Sequence, residues 1–124
     1  MVELQPVQLD AVFRALADPT RREMLRRLSD APSQPLSVTE LAAPHAMSLA
    51  AASKHIKALE RAGLVRRQVQ GRTHLCRLET RPLEGADNWL AYYRRFWAEQ
   101  FDRLDALFKS EDAANRAKTE GDPQ

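Results

Sequence analysis

Seven cations lie between Ser53 and Arg77 (Lys54, Lys57, Arg61, Arg66, Arg67, Arg72 and Arg77) against one acid, Glu60. That segment alone carries +6, whereas the whole chain carries +2, so the remainder is net acidic. Side chains of this kind hold anions rather than make or break bonds. A basic face on a near-neutral body points to a polyanion partner and a defined docking surface. The groups needed for covalent chemistry are not assembled. There is no glycine-rich phosphate loop, no nucleophile motif and no pair of carboxylates beside a base. The histidines, His45, His55 and His74, stand apart from one another and from catalytic partners, so an enzyme is not expected.

The elements that must carry these cations can be read from their ends. Ser48 is suited to cap a helix and Gly63 to close it in the left-handed conformation. Leu64 to Val69 and Thr73 to Leu78 are short β-prone runs, and Gln70-Gly71-Arg72 between them makes a hairpin turn. Upstream, Leu9, Val12, Phe13 and Leu16 recur at helical spacing. Asp18-Pro19 opens a second helix to about Leu28. Ser37-Val38-Thr39-Glu40 has the capping-box spacing of a short third helix, which Pro44 must end. A last helix is predicted from Leu83 to about Phe108. The sum is a mainly α chain with a small β-hairpin wing, in the order α-α-α-α-β-β-α. Two helices separated by His45, Ala46 and Met47 make it a winged helix-turn-helix.

In the fourth helix, Leu49, Ala52, Ile56 and Leu59 fall on one side and are expected inward. Ala50, Ala51, Lys54, Lys57, Ala58 and Arg61 fall on the other. Alanines keep that face low enough to approach base edges, and lysines reach guanine acceptors or phosphates. Ser53 and His55 lie on its two flanks, where phosphate contacts set the register, and the capping Ser48 is counted with them as DNA-binding. Arg66, Arg67, Arg72 and Thr73 on the hairpin lie beside the same groove, where arginine enters a narrow minor groove or clamps its phosphates. An alanine- and lysine-rich face alone is an ordinary solvated surface. The tight turn before it and the basic ribbon after it favour double-stranded DNA. The alternative is a winged helix used only for protein–protein contact.

The totals fit this outline. At 124 residues, 44% hydrophobic and 29% charged, the chain suits one ordered domain, taken as residues 1–110, with a polar, frayed tail at 111–124. A single cysteine, Cys76, forms no internal disulfide and is expected to be a small core residue. No run is long and apolar enough for a membrane, and the N-terminus lacks the order of a signal peptide, so a cytoplasmic protein is expected. Along the last helix, Leu90, Tyr93, Trp97, Phe101, Leu104 and Phe108 form a nearly heptad stripe widened by Trp89 and Phe96. So broad an apolar face points to a symmetric dimer.

Ala15-Leu16-Ala17-Asp18-Pro19-Thr20-Arg21-Arg22, Met47-Ser48, Ser53-Lys54-His55-Ile56 and Leu59-Glu60-Arg61-Ala62-Gly63-Leu64-Val65 together resemble the ArsR family of bacterial winged-helix repressors. The resemblance implies a homodimer that represses transcription at a partly palindromic operator. It also implies an interface built by the first and last helices, adding Leu9 and Phe13 to the aromatic stripe. Family members with a thiolate metal site carry two cysteines where this chain has Ser37 and Thr39. Others use carboxylates and histidines on the last helix, which here offers Asp87, Glu99, Asp102 and Asp105 but no histidine. Borderline metals favour imidazole or thiolate, so no metal site of either kind and no cofactor is expected. Asn88-Trp89-Leu90 with Tyr93-Arg94-Arg95-Phe96-Trp97 resembles a metal-free branch, whose genes often neighbour one for a small START-like ligand-binding protein. The effector stays unassigned.

Overall fold

The structure is a computed structural model that describes residues 3–120. Helix α1 spans Pro6–Leu16 and α2 Pro19–Asp30. Strand β1 (Leu36–Ser37) leads into α3 (Val38–Ala42), and α4 covers Leu49–Arg61. Strands β2 (Val65–Gln70) and β3 (Thr73–Leu78) form the wing, followed by α5 (Arg81–Ala91). A 3₁₀ turn at Tyr92–Arg94 precedes α6 (Arg95–Glu120). The chain forms two compact units, one up to Trp89 and one from Leu90 onward.

In the first unit, Val12, Met24, Leu41, Ile56, Leu59 and Leu64 are fully buried, so α1 to α4 and the wing share one core. The starts of α2 and α3 and the end of α4 are specified by their sequence. The Asp18 carboxylate accepts the Arg21 amide at 3.0 Å, and Pro19 takes the first helical position. Ser37 and Glu40 form the reciprocal capping box expected of them. Gly63, at φ +76°, closes α4 in a Schellman motif. In it the Leu64 amide donates to the Leu59 carbonyl and the Gly63 amide to the Glu60 carbonyl, both at 2.9 Å. The side chains of Leu59 and Leu64 are both buried at that closure.

The arginines after Pro19 serve the helix before it. Arg21 donates through Nε to the Ala15 carbonyl at 2.7 Å and through Nη2 to that of Arg14 at 2.8 Å. Arg22 donates to the Leu16 carbonyl at 2.7 Å. The last carbonyls of α1 have no partner within their own helix, so these cations satisfy them and complement its dipole. Arg27 does the same for α3 by donating to the carbonyls of Glu40 and Leu41.

The Asp18 carboxyl is held below its ordinary value, chiefly by the hydrogen bond from the Arg21 amide; burial opposes this, and smaller electrostatic contributions from His55 and Arg21 add to the lowering. A depressed folded-state value means that the stabilisation is present above the unfolded-chain value and lost as pH falls through the lowered one. Asp18→Ala is expected to cost about 1 kcal/mol at neutral pH. Thermal melts should show that difference shrinking in acid.

The second unit departs from the single helix predicted from Leu83 to about Phe108. The break at Tyr92–Arg94 has no glycine or proline to announce it. Arg95 lies over the Tyr92 and Phe96 rings at 4.4 and 4.9 Å and donates to the Tyr92 hydroxyl at 2.8 Å. Residues three apart eclipse in a 3₁₀ turn, so the Tyr92–Arg95 pair suits the tighter winding. The helix also continues to Glu120, through residues read as a frayed tail. Alanine, arginine, lysine and glutamate keep it going, and no glycine or proline intervenes before Gly121 and Pro123. Residues 121–124 of the expected tail lie outside the described residues.

Candidate nucleic-acid interface

Helix α4 buries three of the four side chains expected inward and exposes the cations expected outward. Ala52, Ile56 and Leu59 are fully buried, while Ala50, Lys54, Lys57 and Arg61 are exposed, with Ala51, Ser53 and Ala58 half-buried between them. Ser48 is exposed, and its hydroxyl accepts the Ala51 amide at 3.1 Å to start the helix. Leu49, expected inward, is instead 55% exposed. The helical wheel gives a direction but not whether another element lies beneath it. At the first residue of α4 none covers it, which adds an apolar side chain beside Ala50.

The turn before α4 is fastened to α2. The His45 Nε2–H donates to the Glu23 carboxylate at 2.6 Å, and Glu23 also lies 3.9 Å from Arg27 Nε. A carboxylate only accepts, so the imidazole proton is on Nε2. The Met47 amide donates to the His45 carbonyl and the His45 amide to that of Ala42.

Strands β2 and β3 pair antiparallel, with Val65 opposite Leu78, Arg67 opposite Cys76 and Gln70 opposite Thr73. The Gly71-Arg72 turn has positive φ only at Gly71, where an L side chain would be strained. Arg66, Arg72 and Thr73 are exposed on this ribbon, and Arg66 Nε lies 3.4 Å from Glu79. The two-residue β1 was not anticipated. It pairs with β3, Leu36 opposite Cys76, and makes a sheet of order β1-β3-β2. A pairing that short and that distant leaves no local pattern.

Two residues expected on the DNA face point elsewhere. His55 Nδ1 accepts from Arg21 Nη1 at 3.3 Å and lies 3.8 Å from the Asp18 carboxylate, so this ring joins α4 to the start of α2. Arg67 Nη2 lies 2.7 Å from Glu60 Oε1, and its side chain is only 14% exposed. Alternation had the signal for this, because Arg67 falls on the same strand face as buried Val65 and Cys76. The pair ties the wing to the recognition helix. Glu60→Gln is expected to cost roughly 1–2 kcal/mol, less than a fully buried pair because Glu60 is partly solvated, and to leave the Arg67 charge uncompensated. Urea unfolding of the two proteins would measure it.

Burial pushes the Cys76 thiol above its ordinary value, with Arg67 opposing and Glu60 reinforcing the shift, so the group stays protonated and packs as a core residue. Among the described residues no three His, Cys, Asp or Glu side chains gather as metal ligands would. No helix among those residues is long and apolar enough to cross a membrane.

A capped, half-exposed rod beside a two-stranded basic ribbon defines a winged helix-turn-helix protein. A helix-turn-helix domain family matches residues 16–68. The structure resembles that of an ArsR family transcriptional regulator with a TM-score of 0.68 and 42% identity, over 78% of this chain and 97% of that one. For an ArsR-like transcriptional regulator from Rhodococcus sp. RHA1 the TM-score is 0.57 and the identity 33%, over 83% of this chain and 92% of that one. A possible transcriptional regulator for arsenical resistance is 34% identical with a TM-score of 0.56, over 80% of this chain and 93% of that one. No curated protein sequence matches the chain. The chain belongs to the ArsR family of transcriptional regulators.

Proposed function

We propose that the chain is a homodimeric repressor that reads a partly palindromic duplex with α4. Ser48, Ala50, Ala51, Lys54 and Lys57 face base edges and nearby phosphates in the major groove. Ser53, Arg61, Arg66, Arg72 and Thr73 grip the flanking backbone. His55 and Arg67, drawn to Asp18 and Glu60, position these elements. The observation that supports this best is the division of α4, where Ala52, Ile56 and Leu59 are fully buried while Ala50, Lys54, Lys57 and Arg61 are exposed. A binding isotherm of the full chain with fluorescent duplex at two salt concentrations tests it. Affinity should fall steeply as salt rises, since each neutralised phosphate releases counterions. No binding even at low salt would overturn the proposal.

The dimer is supported by apolar side chains that each unit leaves open. In the first, Phe13 meets Trp89 edge-on at 5.4 Å beside half-buried Leu9, and Trp89 remains 46% exposed. In the second, Leu90, Tyr93, Phe96, Trp97, Phe101, Leu104 and Phe108 are all exposed. Large apolar patches of this kind mark interfaces. Two copies would also offer two recognition helices to successive major grooves. Phe101→Asp, at an open position where folding is spared, is expected to give monomers in sedimentation experiments and severalfold weaker duplex binding.

A further inference from the structure

One guanidinium joins the end of α1 to the flank of α4. Arg21 donates through Nε to the Ala15 carbonyl at 2.7 Å, through Nη2 to that of Arg14 at 2.8 Å, and through Nη1 to His55 Nδ1 at 3.3 Å. A guanidinium only donates, so Nδ1 accepts with its lone pair and the ring proton is on Nε2. The ionisable groups facing this ring are Arg21 and the Asp18 carboxylate, which lies 3.8 Å from the same nitrogen. Helix α1 meets the corner through its two carbonyls, and the α4 residues one turn from His55 (Ala51, Ala52, Ala58 and Leu59) carry no charge. Protonation at Nδ1 removes the lone pair, sets a like charge against Arg21 and offers an opposite one to Asp18. Asp18 is held below its ordinary value, so it remains a carboxylate where an imidazole titrates. The ring therefore has one partner for each charge state. Its side chain is 23% exposed, enough to exchange protons with solvent while remaining in the corner.

We propose that Arg21 and His55 are positioning residues forming a proton-sensitive joint. With the ring neutral they set α4 against the end of α1; protonation passes the ring from Arg21 to Asp18 and releases that setting. The inference rests on the DNA-reading proposal above. Helix α1 also carries Leu9 and Phe13 of the proposed dimer face, so its angle to α4 governs the spacing of two recognition helices, which an operator must match. Acid should therefore cost the dimer its preference for an operator rather than its general attraction to duplex, which added positive charge favours.

The test measures affinity for a duplex recovered by selection and for a scrambled one, at about pH 8 and about pH 5, the span over which imidazole changes charge. The full chain is compared with His55→Asn and His55→Ala. Asparagine keeps an acceptor where Nδ1 stood and takes up no proton. All three proteins retain His45 and His74, so the protonation of those residues cancels in the comparison. The parent should lose its operator preference severalfold in acid, the asparagine variant should keep it at both values, and the alanine variant should show the weaker preference at both. Equal acid loss in the parent and the asparagine variant, or no loss in the parent, would overturn the joint and leave DNA reading intact. The second arm is nitrogen-15 NMR of the parent without duplex, in which the His55 ring and the Arg21 Nε–H should titrate with one midpoint. An Arg21 signal that ignores the ring would overturn the joint. Absence of duplex binding at either pH, with ring and guanidinium still titrating together, would keep the joint and remove the DNA-reading proposal.

Discussion

Lys54→Ala is expected to weaken binding of the dimer to its operator by about 2–6 kcal/mol, because a base-reading contact contributes about 1–3 kcal/mol and the dimer makes it twice. Lys54 is exposed on the open side of α4, between Ala50 and Lys57, so its removal leaves the core untouched. The loss should be accompanied by relaxed discrimination between duplexes. Arg72→Ala, at the wing turn, should instead weaken all duplexes alike and reduce the salt slope by about one unit per site. Parallel isotherms on an operator and a scrambled duplex separate the two behaviours.

Ile56→Ala should have the opposite signature, a large loss of stability with an unchanged recognition surface. Ile56 is fully buried on the inner side of α4 beside Ala52 and Leu59. Emptying such a site costs about 2–5 kcal/mol, from lost transfer energy and the cavity left behind. For a unit of this size that lowers the melting temperature by roughly 10 °C or more. Calorimetry gives the stability, and duplex affinity measured well below the transition should match that of the parent chain.

The contrast between these variants follows how the sequence encodes the fold. Helix α4 was legible because its signals are local: Ser48 at one end, Gly63 at the other, and a buried stripe of period 3.6 between. The hairpin was legible from Gly71 and the β-prone runs beside it. What escaped depends on partners distant in the chain. His55 and Lys54 are adjacent in sequence, yet one meets Asp18 across 37 positions (55 − 18) and the other faces out. Leu49 obeyed the helical period but lacked an element beneath it. The break at Tyr92 follows from ring and guanidinium packing around Arg95 rather than from a helix breaker.

Selection of bound duplexes from random DNA by the full chain, in parallel with Lys54→Ala, tests the central claim most directly. The parent should recover two inverted half-sites whose centres lie about one helical turn or a multiple of it apart. The variant should lose preference at defined positions within each half-site. Recovery of unpatterned sequences by the parent, or of the identical pattern by the variant, would contradict the placement of α4 in the groove.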